Sequence, residues 1–184
     1  GRLKVGSFID INQENDSEQM NMVIESVVKA ACDMSQTKTG ALIVFERQTK
    51  LGDIIRTGTY IDSSVSSRLL ENIFVPNTPL HDGAVVISNK RVMAASCLLP
   101  LTTNNNLSRD LGTRHRAAIG ITEFTDAVVV VVSEETGKIS IALDGSLTRN
   151  LTSETLMNAL KKTLIKNNEP RKNPAEKLRF WREK

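Results

Sequence analysis

Apolar residues recur at helical spacing in three stretches of the chain, and each stretch follows a polar residue that can cap a helix. These apolar positions are Met20, Ile24, Val27, Val28 and Ala31, then Val65, Leu69 and Ile73, and finally Leu156, Leu160 and Leu164. Ser17 is the predicted cap of the first helix, Asp62 or Ser63 of the second, and Thr152 of the third. The first helix is predicted to end near Met34.

Two runs are apolar throughout and predict buried strands, Ala41–Phe45 and Ala127–Val132. The second is rich in valine, which predicts a central strand covered on both faces. A hairpin is predicted from Ala84–Ile87 and Arg91–Leu98, with its turn at Ser88–Lys90. Because strands and helices alternate, the predicted fold class is α/β, a single globular domain with a central mixed β-sheet flanked by helices.

The chain after the hairpin predicts a loop, a short helix and one further strand. The loop is Leu101–Leu111, and the strand is Lys138–Leu143. Between them, Arg114–Ile119 predicts a helix with Thr113 as its N-cap and Gly120 as its C-cap.

Composition divides the chain into three parts. Residues 1–16 are polar and predict a flexible N-terminal segment, and residues 17–167 predict the globular domain. Residues 168–184 contain Pro170 and Pro174 and predict a basic, loosely ordered tail.

The net charge of +3 comes from the C-terminal end of the 184-residue chain. Residues 166–184 hold seven basic and three acidic side chains, whereas the remainder holds 17 and 18. The body is therefore close to neutral, which argues against a broad surface for nucleic acid. Aromatic residues make up 4% of the chain, too few for a base-stacking platform.

The cysteine pattern and the apolar run lengths exclude two further classes. Cys32 and Cys97 lie far apart with no CxxC, so neither a disulfide framework nor a cysteine-rich zinc site is predicted. The longest apolar run, Ala127–Val132, is far shorter than the roughly 20 residues of a membrane-spanning helix. No signal peptide is predicted, and the start at Gly1 suggests a piece of a longer protein.

The first candidate for chemistry is Pro79-Leu80-His81-Asp82-Gly83-Ala84, at the predicted start of a strand. The imidazole of His81 and the carboxylate of Asp82 are groups that could share a divalent metal. Gly83 has no side chain, so a ligand could approach the backbone closely. The alternative is a simple Asp-Gly turn.

The second candidate is Gly112-Thr113-Arg114-His115-Arg116, at the predicted N-terminus of the short helix. The helix dipole disfavours cations there, but a bound anion would reverse that effect, and helix N-termini bind phosphate. Arg114 and Arg116 diverge by about 200° on an ideal helix. Both arginine side chains can reach the same ligand only if Arg114 lies at a frayed start of the helix. Otherwise one of the two arginines binds a structural partner within the protein. The alternative is a set of solvated surface side chains.

The third candidate is Ser133-Glu134-Glu135-Thr136-Gly137, directly after the buried strand. Ligands gather outside the carboxyl ends of strands in open α/β sheets. Glu134 or Glu135 could bind a metal or balance the arginines, and the alternative is an acidic surface turn. The sequence contains no Walker A loop, GxGxxG, GxSxG or HExxH motif.

Two longer stretches resemble the diadenylate cyclase domain family. Ile73–Ile87 (IFVPNTPLHDGAVVI) resembles its DGA segment, and Leu111–Ala118 (LGTRHRAA) resembles its RHR segment. Their order and spacing also match, as does the valine-rich strand leading to SEETG, so the resemblance covers about residues 20–165. Among subfamilies, the chain is most similar to the bacterial CdaA/DacA type, whose N-terminal membrane helices are missing here.

The resemblance implies an enzyme that condenses two ATP molecules into cyclic di-AMP and releases two pyrophosphates. It implies a divalent metal, Mn²⁺ or Mg²⁺ with Co²⁺ as a further candidate, and a head-to-head homodimer in which each subunit holds one ATP. It also implies a cytoplasmic domain of a protein anchored at the cell membrane by N-terminal helices. Full-length relatives of this type contact regulatory proteins.

The resemblance also implies roles for individual residues, with Asp82 as the carboxylate that helps to activate the attacking 3′-hydroxyl. The implied catalytic residues are Asp82, Gly83, Arg114 and His115. The implied metal ligands are His81, Asp82 and Glu135. The implied nucleotide-binding residues are Gly83, Leu98, Leu99, Gly112, Thr113, Arg114, His115, Arg116, Ser133 and Glu134. Some relatives carry an aromatic residue where this chain has Leu98.

Two other functions compete with this prediction. The first is a catalytically inactive sensor of the same fold that binds a nucleotide or cyclic dinucleotide. The second is an interaction module that docks through the basic tail to a membrane or a nucleic acid.

Overall fold

The computed structural model describes residues 6–166, with side chains from Glu14 to Ile165. Helices and strands alternate along most of this stretch. The helices are α1 Gly6–Thr37, α2 Gly52–Ile55, α3 Ser67–Ile73, α4 Thr113–Phe124 and α5 Ser153–Lys161, which continues into a π-helical turn Lys162–Lys166. The strands are β1 Ala41–Phe45, β2 Thr59–Ser64, β3 Ala84–Ser88, β4 Arg91–Cys97, β5 Val128–Val132, β6 Ile139–Leu143 and β7 Ser146–Leu151.

The strands form one mixed sheet in the order β2-β4-β3-β1-β5-β6-β7. β1 pairs parallel with β3 and antiparallel with β5, and the remaining neighbours are antiparallel. The predicted α/β class with a single domain and a central mixed sheet is therefore confirmed.

Alternate residues of the central strands pack into two separate cores. Val128, Val130 and Val132 of β5 contact the core formed with α1, α3 and α5. Val129 and Val131 contact the opposite core, which α4 covers. All five valines are completely buried, so the prediction of a strand covered on both faces is confirmed.

The third predicted helix has the cap that the sequence indicated. The hydroxyl of Thr152 accepts a hydrogen bond of 3.2 Å from the backbone N–H of Thr155, and the Thr155 hydroxyl accepts one of 2.8 Å from the N–H of Thr152. Two backbone donors that the helix itself cannot satisfy thus find partners. Leu156 and Leu160 of this helix are fully buried, as their spacing predicts.

The first helix is longer than predicted. It begins at Gly6, whereas the sequence predicted a cap at Ser17 and a flexible segment over residues 1–16. No proline lies between these two positions, and extending an existing helix adds a hydrogen bond for each residue fixed. Residues 1–5 and the predicted tail at 168–184 lie outside the described residues.

The predicted cap of the second helix is wrong. Asp62 and Ser63 lie in β2, and the N-cap is Ser66, whose hydroxyl accepts a hydrogen bond of 3.2 Å from the N–H of Leu69. Asp62 instead pairs with Arg91 of β4 at 2.6 Å. Pairing with the neighbouring strand therefore outweighs the local capping preference of this aspartate.

The predicted ends of the short helix are also wrong. Its N-cap is Gly112, Thr113 is its first residue, and it continues through Gly120 to Phe124. A Cβ at Gly120 would lie 2.0 Å from the backbone oxygen of Pro100. Gly120 thus allows the preceding loop to cross the helix closely and does not end it.

Candidate active site

The three candidate clusters meet at one edge of the sheet, where β1 and β3 begin and β4 and β5 end. Gly83 stands directly before β3, Leu98 directly after β4, and Ser133 directly after β5. The start of α4 faces the same edge, because Thr113 lines both of the cavities found there. The predicted position at the carboxyl end of a strand therefore applies to the Ser133 cluster after β5, whereas His81, Asp82 and Gly83 precede β3, at the strand start where the sequence predicted them.

Two adjoining cavities form a cleft at this edge and share Thr113, Arg114 and Glu134. The larger, about 520 Å³, is lined by Leu42, His81, Asp82, Gly83, Cys97, Leu98, Leu99, Leu101, Thr113, Arg114, Ala117 and Glu134. The smaller, about 140 Å³, is lined by Asp110, Gly112, Thr113, Arg114, His115, Val132, Ser133, Glu134 and Glu135. Every predicted site residue except Arg116 lines one of them.

Arg116 lines neither cavity. Its backbone oxygen accepts a hydrogen bond of 3.1 Å from the N–H of Thr102, and its own N–H bonds to the oxygen of Gly112. The structure thus separates the two arginines, as their divergence on a helix predicts, and brings only Arg114 to the cleft.

The larger cavity has an apolar wall. Leu98 is exposed and Leu99 is half-buried, and Leu42, Leu101 and Ala117 lie beside them. The backbone N–H of Leu98 is fixed by a hydrogen bond of 2.9 Å to the hydroxyl of Thr57. Together these side chains offer an apolar surface of the kind that a nucleobase contacts.

Cys97 adds a buried thiol to this wall. Burial raises the pKa of Cys97 to about 11, so the thiol stays protonated near neutral pH. It therefore adds apolar surface and no charge to the larger cavity.

His81 presents one ring nitrogen for binding. Its Nδ1 lies 2.6 Å from the backbone oxygen of Thr78, a contact that favours a proton on Nδ1. The neutral imidazole then has its lone pair on Nε2, which is the arrangement of metal-binding histidines. The adjacent carboxylate of Asp82 is exposed in the same cavity.

The fold itself requires a glycine at position 83. Its φ is +109°, a region that disfavours residues with a side chain, and a Cβ there would lie 2.7 Å from the backbone oxygen of Cys97. The sequence explained Gly83 by the approach of a ligand, whereas the structure adds the close passage of β4.

The guanidinium of Arg114 is held by an ion pair, in which its Nη1 donates a hydrogen bond of 2.7 Å to Oε2 of Glu134. The Arg114 side chain is 20% exposed and that of Glu134 is 63% exposed. The Nε of Arg114 is buried without a hydrogen-bond partner. The sequence left two roles open for Glu134, binding a metal or balancing the charge of the arginines. The ion pair with Arg114 supports the second role.

His115 is buried between charged groups at the smaller cavity. Burial lowers the pKa of His115, nearby Arg149 lowers it further, and Asp110 and Glu135 act in the opposite direction. The imidazole is therefore neutral near pH 7 and offers one donor and one acceptor. Hydrogen bonds from Arg149 and Ser108 lower the pKa of Asp110 to about 2, so this carboxyl is ionised.

The smaller cavity combines anion-binding and cation-binding groups. No side chain caps the start of α4, which leaves its first-turn N–H groups for a ligand. Three carboxylates, those of Asp110, Glu134 and Glu135, also line it, against the single guanidinium of Arg114. An anionic ligand therefore fits best together with a cation.

The predicted metal ligands do not form one set within the chain. His81 and Asp82 line the larger cavity, and Glu135 lines the smaller. Over the part of the chain that the structure describes, no three His, Cys, Asp or Glu side chains are grouped closely enough to hold a metal together. The donor chemistry of His81 and Asp82 nevertheless suits a divalent metal that takes its other ligands from a phosphate.

Several residues of the cleft are not predicted from the sequence. Asp110 and Leu42 line it, and Gly40 packs against Arg114. Asp110 could have been found, because it precedes the predicted helix by only a few residues. Gly40 and Leu42 carry no local signal, since they reach the cleft only through the pairing of β1 with β3 and β5.

Two known bacterial proteins are similar to this chain over most of its length. "Cyclic di-AMP synthase CdaA" of Bacillus subtilis is 44% identical over 183 residues, which is 100% of this chain and 66% of the relative. A "Diadenylate cyclase" of Listeria monocytogenes is 47% identical over 147 residues, 80% of this chain and 54% of the relative. The chain thus spans less than two thirds of the length of these two relatives.

A solved structure shares the fold. The crystal structure of a double mutant of DacA from Staphylococcus aureus is similar with a TM-score of 0.76 and 48% identity, covering 77% of this chain and 95% of that one. Residues 28–147 match the DAC family, described as "DisA bacterial checkpoint controller nucleotide-binding", which is well over half of the chain. The chain with this two-cavity cleft therefore belongs to the DAC family.

Proposed function

We propose that this domain is a metal-dependent diadenylate cyclase, which joins two ATP molecules into cyclic di-AMP and releases two diphosphates. The observation that carries the proposal is the cleft itself. An apolar leucine wall, the His81-Asp82 pair and the uncapped start of α4 all line connected cavities. These are the surfaces that a base, a reacting centre and a triphosphate need.

The nucleotide is proposed to lie across both cavities. Adenine contacts Leu98 and Leu99, and the triphosphate binds the first-turn N–H groups of α4 together with Thr113 and Arg114. The neutral imidazole of His115 donates one hydrogen bond to a phosphate oxygen. Gly112, Ser133 and Glu134 complete the lining on the phosphate side.

The reaction consists of two equivalent transfers. The 3′-hydroxyl oxygen of each ATP attacks the α-phosphorus of the other, a new P–O bond forms, and the bond to the β-phosphate oxygen breaks to release diphosphate. The Asp82 carboxylate accepts the hydroxyl proton and thus acts as the proposed general base. Most of the catalysis in such phosphoryl transfers comes from positioning and charge stabilisation, which the fixed groups of the cleft supply.

A divalent ion, Mn²⁺, Mg²⁺ or Co²⁺, fits this cleft. His81 and Asp82 would hold it with phosphate oxygens, and Glu135 is the further candidate ligand from the smaller cavity. When bound, such an ion neutralises phosphate charge and makes a nearby hydroxyl more acidic.

Catalysis is proposed to need two copies of the chain. One cleft holds one ATP, whereas the product contains two nucleotides, so a second cleft must face the first in a head-to-head homodimer.

The domain is further proposed to be the cytoplasmic part of a membrane-anchored protein that contacts regulatory proteins. A related Bacillus cereus structure, with a TM-score of 0.67 and 46% identity, is that of a hypothetical membrane spanning protein. Among the described residues of this chain, no helix is both long enough and apolar enough to cross a membrane.

The proposal is tested by incubating the protein with ATP and each metal in turn, and by separating the products by chromatography with mass detection. Cyclic di-AMP and diphosphate should form in a 1:2 ratio, only with metal present, and the rate per subunit should rise with protein concentration. A folded sample that binds ATP but releases no diphosphate with any metal would instead be an inactive nucleotide sensor. Salt-sensitive binding to anionic vesicles or nucleic acid, lost on deleting residues 166–184, would support a docking role of the tail.

A further inference from the structure

Gly40 is a buried glycine immediately before β1 that the backbone conformation does not explain. Its φ is not positive, so this backbone would accept a residue with a side chain. Gly83 and Gly137, by contrast, have φ values of +109° and +73°, which favour glycine by themselves. The reason for a glycine at position 40 must therefore lie in the space around it.

That space is occupied by the cleft arginine. A Cβ built on Gly40 would lie 2.6 Å from Nη1 of Arg114, 2.8 Å from its Cζ and 3.1 Å from the Cβ of Glu134. Real Cβ atoms do not approach other atoms closer than about 3.0 Å, so a side chain would have to displace the guanidinium.

Other tightly packed glycines of the domain have different neighbours. A Cβ at Gly58 would meet the backbone oxygen of Ala95 at 2.4 Å, and one at Gly120 would meet that of Pro100 at 2.0 Å. Backbone cannot move without disturbing a strand or helix, whereas the end of an arginine side chain can rotate. A side chain at position 40 would thus disturb the site more than the fold.

We propose that Gly40 is a positioning residue for Arg114, and that the missing side chain allows the guanidinium to lie against the start of β1, in the wall shared by both cavities. This deepens the proposed function and rests on it for the assignment of Arg114 as a phosphate ligand. Arg114 is fixed there by packing on Gly40 and by Glu134 on its Nη1. The cation is therefore in place before a nucleotide arrives.

The variant Gly40→Ala separates positioning from folding. The added methyl group displaces the guanidinium, so we expect the affinity for a triphosphate to fall about tenfold, as for the loss of one charge-assisted contact. The melting temperature should change by no more than about 2 °C, because only a flexible side-chain end must move. Gly52→Ala is the matched control, since its Cβ would lie at an ordinary 3.5 Å from Nη1 of Arg56.

Two ligands distinguish a phosphate effect from a general loss of binding. The first is α,β-methylene-ATP, whose bridging carbon prevents release of diphosphate, and the second is adenosine, which has no phosphate. Calorimetric titration should show that Gly40→Ala lowers the affinity for α,β-methylene-ATP and leaves the affinity for adenosine unchanged. In an Arg114→Ala background, Gly40→Ala should cause no further loss, because the group that it displaces is absent.

Three results would overturn the proposal: equal weakening of both ligands, an additive loss in the Arg114→Ala background, or normal triphosphate affinity in Gly40→Ala. Failure of the proposed function is seen separately, because the unaltered protein would then bind ATP without forming cyclic di-AMP. A wild-type protein that cyclises ATP alongside a Gly40→Ala variant with normal affinity would reject the role of Gly40 alone.

Discussion

The hydroxyl of Ser96 donates a hydrogen bond of 2.7 Å to the backbone oxygen of Asp82. Ser96 has a φ of +56°, unusual for a residue other than glycine, and it lies where the pairing of β3 with β4 is irregular. Such strained residues often lie at functional sites. Here the strained residue of β4 fixes the turn that carries the proposed catalytic carboxylate.

We therefore expect Ser96→Ala to slow turnover with little change in the KM for ATP. One neutral hydrogen bond contributes about 0.5–1.5 kcal/mol, which corresponds to a loss of roughly two- to tenfold in kcat. Steady-state assays measure this, with Ser64→Ala on the exposed face of β2 as the control. An unchanged kcat would mean that the turn holds Asp82 without the serine.

Asp82→Asn should abolish cyclic di-AMP formation while the domain remains folded. The carboxylate is exposed in the cleft and its replacement by an amide of the same shape disturbs no core contact. Circular dichroism and the melting temperature should match those of the wild type, and product should fall at least about a hundredfold, as for loss of a general base. Activity near the wild-type level would remove Asp82 from the reaction.

The two strands whose burial is complete are among the elements that the sequence predicts correctly. β1 and β5 are apolar on both faces, so their pattern does not depend on their neighbours. The two edge strands, β2 and β7, were missed because they are polar and half-exposed, and only pairing with β4 and β6 makes them strands. Gly120 was interpreted as a helix end because its contact with Pro100 is not visible in the local sequence.

The pH dependence of stability should reflect His115. Because burial lowers the pKa of His115 in the folded chain, the unfolded chain binds the extra proton first as the pH falls. The stability from the neutral imidazole is complete above the unfolded pKa and is lost as the pH falls through the folded one. Urea unfolding between about pH 7.5 and pH 5.5 should show this loss, and His115→Gln should flatten it. Equal slopes in both proteins would contradict the assignment.

The neighbours of His115 should shift its pKa in opposite directions. Arg149→Gln removes a cation and should raise the pKa of His115, whereas Asp110→Asn removes an anion and should lower it. The Arg149–Asp110 pair is exposed, so each variant should change the free energy of unfolding only slightly. NMR titration of the imidazole measures both shifts, and movement in the same direction would show that the loop rearranges.

Gly120→Ala should destabilise the domain strongly. The added methyl group meets the backbone of Pro100 and Thr102, at 2.0 and 2.7 Å, and neither can move without displacing the loop or the helix. Overpacking of this kind costs about 1–3 kcal/mol. Thermal unfolding measures the change, with Gly52→Ala expected to be neutral or slightly stabilising. A melting temperature equal to that of the wild type would show that the crossing of loop and helix can widen.

The residues of the site were easier to predict than their geometry. Motif resemblance identified His81, Asp82 and Arg114 from type and order alone, and all three line the cleft. It could not show that Arg116 lies outside the cleft or that Glu135 lies apart from His81, because both depend on how α4 and the turn after β5 meet the sheet.

Two segments that line the smaller cavity differ in the contacts that keep them in place. Val132 and Ser133 lie at the end of β5, a strand that is hydrogen-bonded on both edges and buried on both faces. Asp110, which also lines this cavity, ends a stretch of nearly all exposed residues, 103–110, whose side-chain hydrogen bonds stay within the loop apart from the link between Asp110 and Arg149. Hydrogen exchange should therefore be slow at the strand and fast at the loop. We therefore expect the proposed cyclic product to leave past this loop, by its local opening, while the strands stay closed.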